Sequence, residues 1–328
     1  MAPCPRHYCG ARDPALQHIA AIGGAALVVI TEWCPAEAFG LLGRSRLLYD
    51  PDLWRRPGDL RHSLREATAL VVRNQTRVTR DLLGAAPRLA VVGRLGSGLD
   101  NIEVEALRER GLPLIWTPGA NAKTVAEYTI GAFFLLTHPF DRWDASARAG
   151  RWEREPAQDL AGKTLAIIGY GHVGRQVALR ARVLGLSIRV YDRKVSPGWH
   201  DGHRFFDGPG AAALGSDLLT VHVPYTADTH HLVDATVLAA LAPGASFVNT
   251  SRGGVVDETA LLWALDHGLA GAVLDVRGVE PPPPGDLLLQ HPRVRHSPHV
   301  AGLSRESSLV IASRVLSGVA AVLSAKTV

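Results

Sequence analysis

The sequence predicts an α/β protein of two lobes, each built on a doubly wound parallel sheet. Three observations carry this. Short apolar runs alternate with amphipathic helical stretches from residue 25 onward, the pattern of parallel strands covered on both faces. The alternation comes in two series, separated by a polar stretch at 141–159. The chain has 328 residues, 47% of them hydrophobic, which is enough for two domains of roughly 100–200 residues with a core each.

In the first series, residues 25–30, 69–72, 89–92 and 114–116 read as strands, with helices at 35–42, 61–65 and 102–110. A longer helix is expected over 123–138. The second series opens with Thr164-Leu165-Ala166-Ile167-Ile168, a continuous apolar run. Further strands are expected at 188–191, 218–221, 246–249 and 271–275. Glu280-Pro281-Pro282-Pro283-Pro284-Gly285 cannot continue a helix or a central strand and reads as a loop. The tail, 304–325, reads as one helix capped by Ser304, with Val310, Ile311, Val315, Leu316 and Val319 near one face.

Composition narrows the function classes. Lys+Arg 35 against Asp+Glu 31 leaves a small excess of +4. Only Lys123, Lys163, Lys194 and Lys326 are lysines, so the excess is mostly arginine. That bias is either compositional or an anion site, since arginine grips anions through several donors. No basic run interleaved with aromatics appears, so nucleic acid is not an expected partner. Cys4, Cys9 and Cys34 lack zinc spacing with histidine, so no metal site is expected. Their odd, sparse number points to a reducing cytoplasm. The apolar stretch 19–30, with Arg6 and Arg12 upstream, faintly resembles a signal peptide, but its second half reads better as the first strand. About the first 20 residues are expected to be a loose extension. No apolar run is expected to span a membrane.

Gly169-Tyr170-Gly171-His172-Val173-Gly174 is a G-x-G-x-x-G placed between a strand and a predicted helix at 175–184. The first glycine permits a tight turn, the second lets a pyrophosphate approach the backbone, and the third lets helix and strand pack closely. His172 and Val173 open the helix, whose N-terminal N–H groups suit phosphates. Asp192 follows the next strand and suits the ribose hydroxyls, which favours NAD over NADP. Arg193 and Lys194 blunt that preference: they suit a 2′-phosphate, or Arg193 suits stacking on the adenine. Gly162-Lys163-Thr164 is not a P-loop, because Ala157 stands where the upstream glycine is required.

Three later segments set polar residues among apolar or tightly turning neighbours. They are Asn249-Thr250-Ser251-Arg252-Gly253-Gly254, Asp275-Val276-Arg277-Gly278-Val279-Glu280-Pro281, and His296-Ser297-Pro298-His299-Val300-Ala301-Gly302. Together with the glycine motif they resemble the D-isomer-specific 2-hydroxyacid dehydrogenase family, from about Leu27 to the tail helix. The resemblance implies that Arg252, Glu280 and His299 are catalytic. Histidine suits proton transfer near neutral pH. A neighbouring carboxylate orients the ring and favours its protonated form. Arginine suits a two-bond grip on an α-carboxylate. His296 is read as a strand-end residue instead. The resemblance also assigns Ser97, His222, Val223, Pro224, Thr229, Thr250, Ser251, Asp275 and Gly302 to the cofactor, with Asp275 near the nicotinamide carboxamide. The family usually has an aromatic residue after Asp-Val. Arg277 stands there, and is expected to alter the pocket lip or add positive charge to it.

Val92-Gly93-Arg94-Leu95-Gly96-Ser97-Gly98 is similar to the family's substrate loop, whose glycines let backbone N–H groups face a carboxylate. Arg94, Leu95 and Gly96 are its expected substrate contacts, with Arg73 on the same rim and Asn121 at a hinge. In the phosphoglycerate dehydrogenases of the family, arginines at these two places are associated with the substrate phosphate, so the resemblance implies that Arg73 and Arg94 meet a second anionic group at C3 of the substrate: phosphate, sulfonate or phosphonate. The alternative is that both are surface arginines. Ser97 replaces the lysine expected of a phosphite-oxidising member.

The resemblance implies a flavodoxin-like substrate lobe at 1–119 joined by 298–328, and a Rossmann cofactor lobe at 120–297. It implies a homodimer formed through the cofactor lobe, with 133–152 in the contact. The regulatory domain that phosphoglycerate dehydrogenases often carry is not expected after Val328. The competing class is an NAD(H)-sensing regulator of the same fold that catalyses nothing. The partner expected in either case is a small anionic 2-hydroxy or 2-oxo acid or NAD, not a membrane.

Overall fold

The computed structural model describes residues 26–326, so the expected N-terminal extension, Cys4, Cys9 and residue 25 of the first strand lie outside it. The chain forms two compact units. One runs to Asn121 and resumes at Ser304; the other is Ala122–Leu303.

The first unit holds a five-stranded sheet of β1 (Leu27–Ile30), β2 (Arg46–Tyr49), β3 (Ala69–Val72), β4 (Val91–Arg94) and β5 (Leu114–Ile115). The order is β2-β1-β3-β4-β5, with every pairing parallel. That is the flavodoxin-like order. Alternate residues feed opposite faces, as the pleat requires. Val29, Leu70, Val72 and Val92 pack with Leu64, Leu83 and Leu107 on one side. Val28, Ile30, Val71 and Val91 pack with Ile311, Val315, Leu316 and Val319 of the tail helix on the other.

The tail helix is Arg305–Ala325, and Ser304 caps it by accepting the Ser307 N–H at 3.0 Å. A Cβ at Gly93 would come within 2.8 Å of Val315 Cγ1, so the glycine lets helix and strand meet. Val310 is 42% exposed, off the expected face, because it lies about 100° around the helix from Ile311. Against expectation, this helix is long and apolar enough to cross a membrane by length and composition. In this fold its apolar stripe closes the core of the first unit.

The second unit holds eight strands: β6 (Thr164–Ile168), β7 (Ser187–Tyr191), β8 (Gly198–His200), β9 (His203–Phe205), β10 (Leu218–Val221), β11 (Ser246–Asn249), β12 (Gly271–Leu274) and β13 (Val294–His296). Their order is β13-β12-β11-β10-β6-β7-β9-β8, and only the β8–β9 pairing is antiparallel. The sequence reverses direction across the sheet between β6 and β10, the switch point where open α/β sheets take ligands. Helices Ala122–Thr137 and His172–Val183 cover one face through Ala126, Phe133, Val177 and Ala181. Val237, Leu238, Leu261 and Leu265 cover the other.

Three strands escape a reading by apolar pattern. β2 is an edge strand with Leu47 alone buried, and β8 is exposed along its length. β9 is the short partner that pairs β8 to β7. The inter-unit boundaries fall at 121/122 and 303/304, not at 119/120 and 297/298. Residues 298–303 stay with the second unit because His299 N–H donates to Asp275 O at 2.8 Å and the Asp275 carboxylate holds the following loop.

Candidate active site

The glycine loop ends β6 at the switch point. Gly169 has φ +96°, and a Cβ there would strike His222 O at 2.5 Å. A Cβ at Gly174 would strike Gly169 O at 2.1 Å, so both glycines are demanded by packing. Gly171 differs: a Cβ there would meet nothing within 4 Å. The protein itself does not require glycine at this position, which suits the close approach of a pyrophosphate. Gly171 is the N-cap of the helix His172–Val183, and His172 is exposed at its start while Val173 is half-buried. Asp192, just past β7, accepts the Tyr170 N–H at 2.7 Å and the Lys194 N–H at 2.9 Å. It is thereby fixed beside the loop. Arg193 pairs with Asp228 at 3.0 Å on the surface. The donor set therefore fits a dinucleotide: the glycine loop and helix start for the phosphates, Asp192 for the ribose.

After β10, His222 donates its N–H to Ile168 O at 2.7 Å. Its Nε2 lies 3.1 Å from Thr220 Oγ1, and its Nδ1 lies 3.5 Å from Thr250 Oγ1. Burial pushes the imidazole down to about 3, so it is neutral in the working range. Val223 packs on the core and Pro224 is exposed. Thr229 is buried, and its hydroxyl donates to Pro224 O at 2.7 Å, which makes it a brace for this loop.

The turn after β11 is held by Asn249. Its Oδ1 accepts the Ser251 N–H at 2.9 Å and the Ser251 hydroxyl at 2.8 Å, and its Nδ2 donates to Arg252 O at 3.1 Å. Arg252 is half-buried and donates Nη1 to Ser251 O at 2.6 Å.

Asp275, past the end of β12, is 2% exposed. Its Oδ1 accepts the Ser297 hydroxyl and the Val300 N–H, the latter at 2.8 Å, and its Oδ2 accepts the Ala301 N–H at 2.9 Å. Both oxygens are committed to the loop that carries His299 and leads to Gly302. His299 sits in the left-handed region, φ 57°, a strained position that this surrounding network sustains. Its Nδ1 lies 2.8 Å from Glu280 Oε2. Glu280 Oε1 accepts the Arg277 N–H at 3.0 Å. Burial pushes the Glu280 carboxyl up, but the His299 bond, the Arg277 N–H and the nearby His299 and Arg252 charges outweigh it. The carboxyl is held below its ordinary value. An ionised carboxylate only accepts, so Nδ1 carries the proton and Nε2 is the nitrogen left for chemistry. His296, in β13, instead faces Leu288 O at 3.0 Å.

In the first unit, Arg94 closes β4, in register with Val72 of β3, one residue before Arg73. The two arginines therefore end adjacent strands. Glu32, 3% exposed, accepts the backbone N–H groups of Arg73, Asn74, Gln75 and Thr76 at 2.8–3.0 Å. Asn101 ties the same loop through Arg73 O and Thr76 O, at 3.1 and 2.7 Å. The Arg73 guanidinium lies 5.2 Å over the Trp33 ring, and burial pushes it down while Glu32 pulls it back up. Arg94 is buried and folds over Gly96, where a Cβ would fall 1.6 Å from its Nη1. It is thus no free surface arginine. Ser97 Oγ lies 2.9 Å from Asn121 Oδ1 and 3.1 Å from Thr117 O, which joins those two expected contacts. The Leu95 side chain is core, 4% exposed, and its N–H donates to Val72 O at 2.8 Å. Only its carbonyl faces polar neighbours, and that accepts Arg94 Nη1 at 3.3 Å.

Asn249, Ser297, Glu32 and Asn101 are bracing residues that the sequence reading did not single out. Asn249 and Ser297 lay inside quoted motifs, but their work is to hold turns. Arg277 also departs from expectation. Its side chain is 6% exposed and bound by Glu258 and Asp286, so its charge is not on a pocket lip.

Residues 130–301 match the family model described as "D-isomer specific 2-hydroxyacid dehydrogenase, NAD binding domain". The (S)-sulfolactate dehydrogenase of Chromohalobacter salexigens is 38% identical over 246 residues, covering 73% of this chain and 79% of that protein. The D-3-phosphoglycerate dehydrogenase of Archaeoglobus fulgidus is 34% identical over 287 residues, covering 86% of this chain and 54% of that protein. The chain spans about half the length of the curated phosphoglycerate dehydrogenases it matches. Among solved structures, the TT0316 protein from Thermus thermophilus superposes with a TM-score of 0.83 at 28% identity, covering 91% of this chain and 97% of that one.

Proposed function

The chain belongs to the D-isomer-specific 2-hydroxyacid dehydrogenase family, and on that premise we propose that it is an NAD-dependent dehydrogenase of small 2-hydroxy acids. The observation that carries the reading is the Glu280–His299 pair at 2.8 Å, with His299 presented in a strained conformation by Asp275. Bound at the glycine loop, NAD supplies the hydride acceptor, and NADH the donor. His299 takes the C2 hydroxyl proton through Nε2 in oxidation and returns it to the carbonyl oxygen in reduction. Glu280 orients the ring and fixes the proton of Nδ1, so that Nε2 faces the chemistry. Arg252 holds the α-carboxylate and polarises the C2 oxygen. A regulator that only senses NAD(H) would have no need of a charged carboxylate on a strained histidine, which favours the catalytic reading.

Selectivity for a second anionic group is assigned to Arg73 and Arg94 of the first unit. Arg73 supports this best: among the described residues its guanidinium has an aromatic ring but no carboxylate within ion-pair distance. Phosphorylated, sulfonated and phosphonated 2-oxo acids share the required chemistry, and the sulfolactate and phosphoglycerate dehydrogenases above act, by their names, on substrates of that class. The decisive experiment is NADH oxidation by the purified protein with 3-phosphohydroxypyruvate, sulfopyruvate, phosphonopyruvate, hydroxypyruvate and glyoxylate. Turnover of the C3-anionic members is expected, and Arg252→Ala should raise KM and lower kcat together. A protein that binds NADH yet reduces none of them would be the sensor. A cytoplasmic homodimer completes the proposal. Exposed Phe140 and Trp152, 59% and 73% accessible, support self-association, and light scattering on the same preparation tests it.

A further inference from the structure

Arg277 is buried deeper than a charge should be without reason. Its Nε donates to Glu258 Oε1 at 2.9 Å, and its Nη2 to Glu258 Oε2 at 3.0 Å. Nη2 also reaches both oxygens of Asp286, at 3.0 and 2.9 Å. Nη1 is buried with no partner among the described residues. A well-packed apolar side chain of similar volume is often at least as stabilising as such a buried ion group, because desolvation offsets the attraction. Stability alone therefore does not account for an arginine here. What it adds is geometry.

The two carboxylates belong to separate elements. Glu258 begins the helix Glu258–His267, which follows the Arg252 turn, and it also accepts the Gly278 N–H at 2.9 Å. Asp286 caps the helix Leu287–Gln290, at the far end of the proline-rich loop. Arg277 joins both to the end of β12. Its own backbone then touches the site twice. Its N–H holds Glu280 Oε1 at 3.0 Å. Its carbonyl carbon and the next nitrogen press on Gly253, where a Cβ would fall 1.8 and 2.1 Å from them. Gly253 is the residue after Arg252.

We propose that Arg277 is a positioning residue: its guanidinium, bridged to Glu258 and Asp286, fixes the 277–280 turn so that the Glu280 carboxylate meets Nδ1 of His299. Lysine cannot substitute fully, because an ammonium is a point charge without the planar fork that engages two carboxylates. The proposal rests on the dehydrogenase reading for its kinetic test but not for its spectroscopic one.

The test compares the full-length wild type with Arg277→Met, Arg277→Lys, Glu280→Gln and the Arg277→Met/Glu280→Gln double variant. Arg277→Met should lower kcat roughly 10- to 100-fold, the scale of a small misplacement of a reacting group, and Arg277→Lys should lose less. The double variant should be no slower than Glu280→Gln alone, because the arginine acts through that carboxylate. Multiplied losses would overturn the proposal. Arg277→Met combined with Glu258→Gln and Asp286→Asn leaves no unpaired buried charge, so a loss of kcat that persists there cannot be charged to misfolding. The His299 Nδ1–Glu280 bond is followed through the ring ¹⁵N shifts of His299 by NMR at one fixed neutral pH, assigned by their disappearance in His299→Gln. In Arg277→Met those ring shifts should coincide with those in Glu280→Gln, where the ring has lost its carboxylate partner; coincidence with wild type would overturn the proposal whatever the turnover. Coincidence with Glu280→Gln in a protein that reduces no 2-oxo acid would sink the dehydrogenase reading and leave the positioning role standing.

Discussion

Both units use the same device, a buried carboxylate that gathers the N–H groups of a loop, and put it to different ends. In the second unit Asp275 collects Val300 and Ala301 and so presents His299. The residue presented already has a charged partner, Glu280. In the first unit Glu32 collects the N–H groups of 73–76 and so presents Arg73. That guanidinium is backed by a tryptophan face rather than by a carboxylate. A partnered histidine has its proton position defined in advance, which is what proton transfer at a fixed atom requires. Glu32 is the carboxylate that acts on Arg73, but its oxygens are spent on backbone N–H groups, and a guanidinium that no carboxylate engages directly is still able to bind an anion. On the proposed function, chemistry falls to one unit and selectivity to the other, and the contrast can be broken from either side.

The largest effect should come from the chemical side. His299→Gln should lower kcat by about 10²–10⁴-fold in stopped-flow or steady-state assays, the usual worth of a general acid–base. NADH binding, followed by fluorescence, should stay near wild type, because the glycine loop and Asp192 are untouched. Weakened NADH binding of comparable size would mean that His299 is not specific to chemistry. The pH profile adds a sign. Glu280 is depressed below its ordinary 4.5, so its charge is present above that value and lost only as pH falls through the lower folded value. The pair should therefore survive through pH 4.5, and an acid limb set by Glu280 should lie below it.

Glu32→Ala tests the supporting carboxylate of the other unit. Arg73 and Thr76 keep the more buried of the four N–H groups, while Asn74 and Gln75 are exposed and can turn to water. Leaving the Arg73 and Thr76 donors, one half-buried and one buried, unpaired costs about 2–6 kcal/mol at most. Chemical denaturation should show that loss, and kcat for a simple 2-oxo acid such as glyoxylate should change far less than in His299→Gln. A stability change near zero would mean that Glu32 is incidental to the loop.

What could be read in advance follows range of interaction. The glycine loop, Asp192 and the Ser-Pro-His-x-Ala-Gly context of His299 are short strings whose chemistry is local, and they stand out against apolar neighbours. The tail helix was legible through its cap and its four-residue apolar spacing. Glu32 was not legible, because its four partners lie 41–44 positions later, and a lone acid after a strand looks like a surface residue. Arg277 was visible as a departure, but its two partners lie 19 and 9 positions away and become neighbours only on folding. The burial of Leu95 was not legible either, because the loop pattern gives no sign of which side chain returns to the core.

The smallest and most selective effect should come from Arg73→Ala. A desolvated charge-assisted bond to an anion is worth about 1.5–3 kcal/mol, or roughly a 10- to 150-fold rise in KM for a phosphorylated or sulfonated 2-oxo acid. The same variant should leave glyoxylate within about twofold, because that substrate has nothing for the guanidinium to bind. Trp33→Phe should sit between variant and wild type, since a smaller ring face still supports the cation but less strongly. Equal weakening of all substrates would show that Arg73 shapes the loop rather than reading the substrate, and would return the work of this region to Glu32 alone. A selective loss would instead mean that the carboxylate–loop device holds its arginine poised for a second anion, as its counterpart holds His299 poised for a proton.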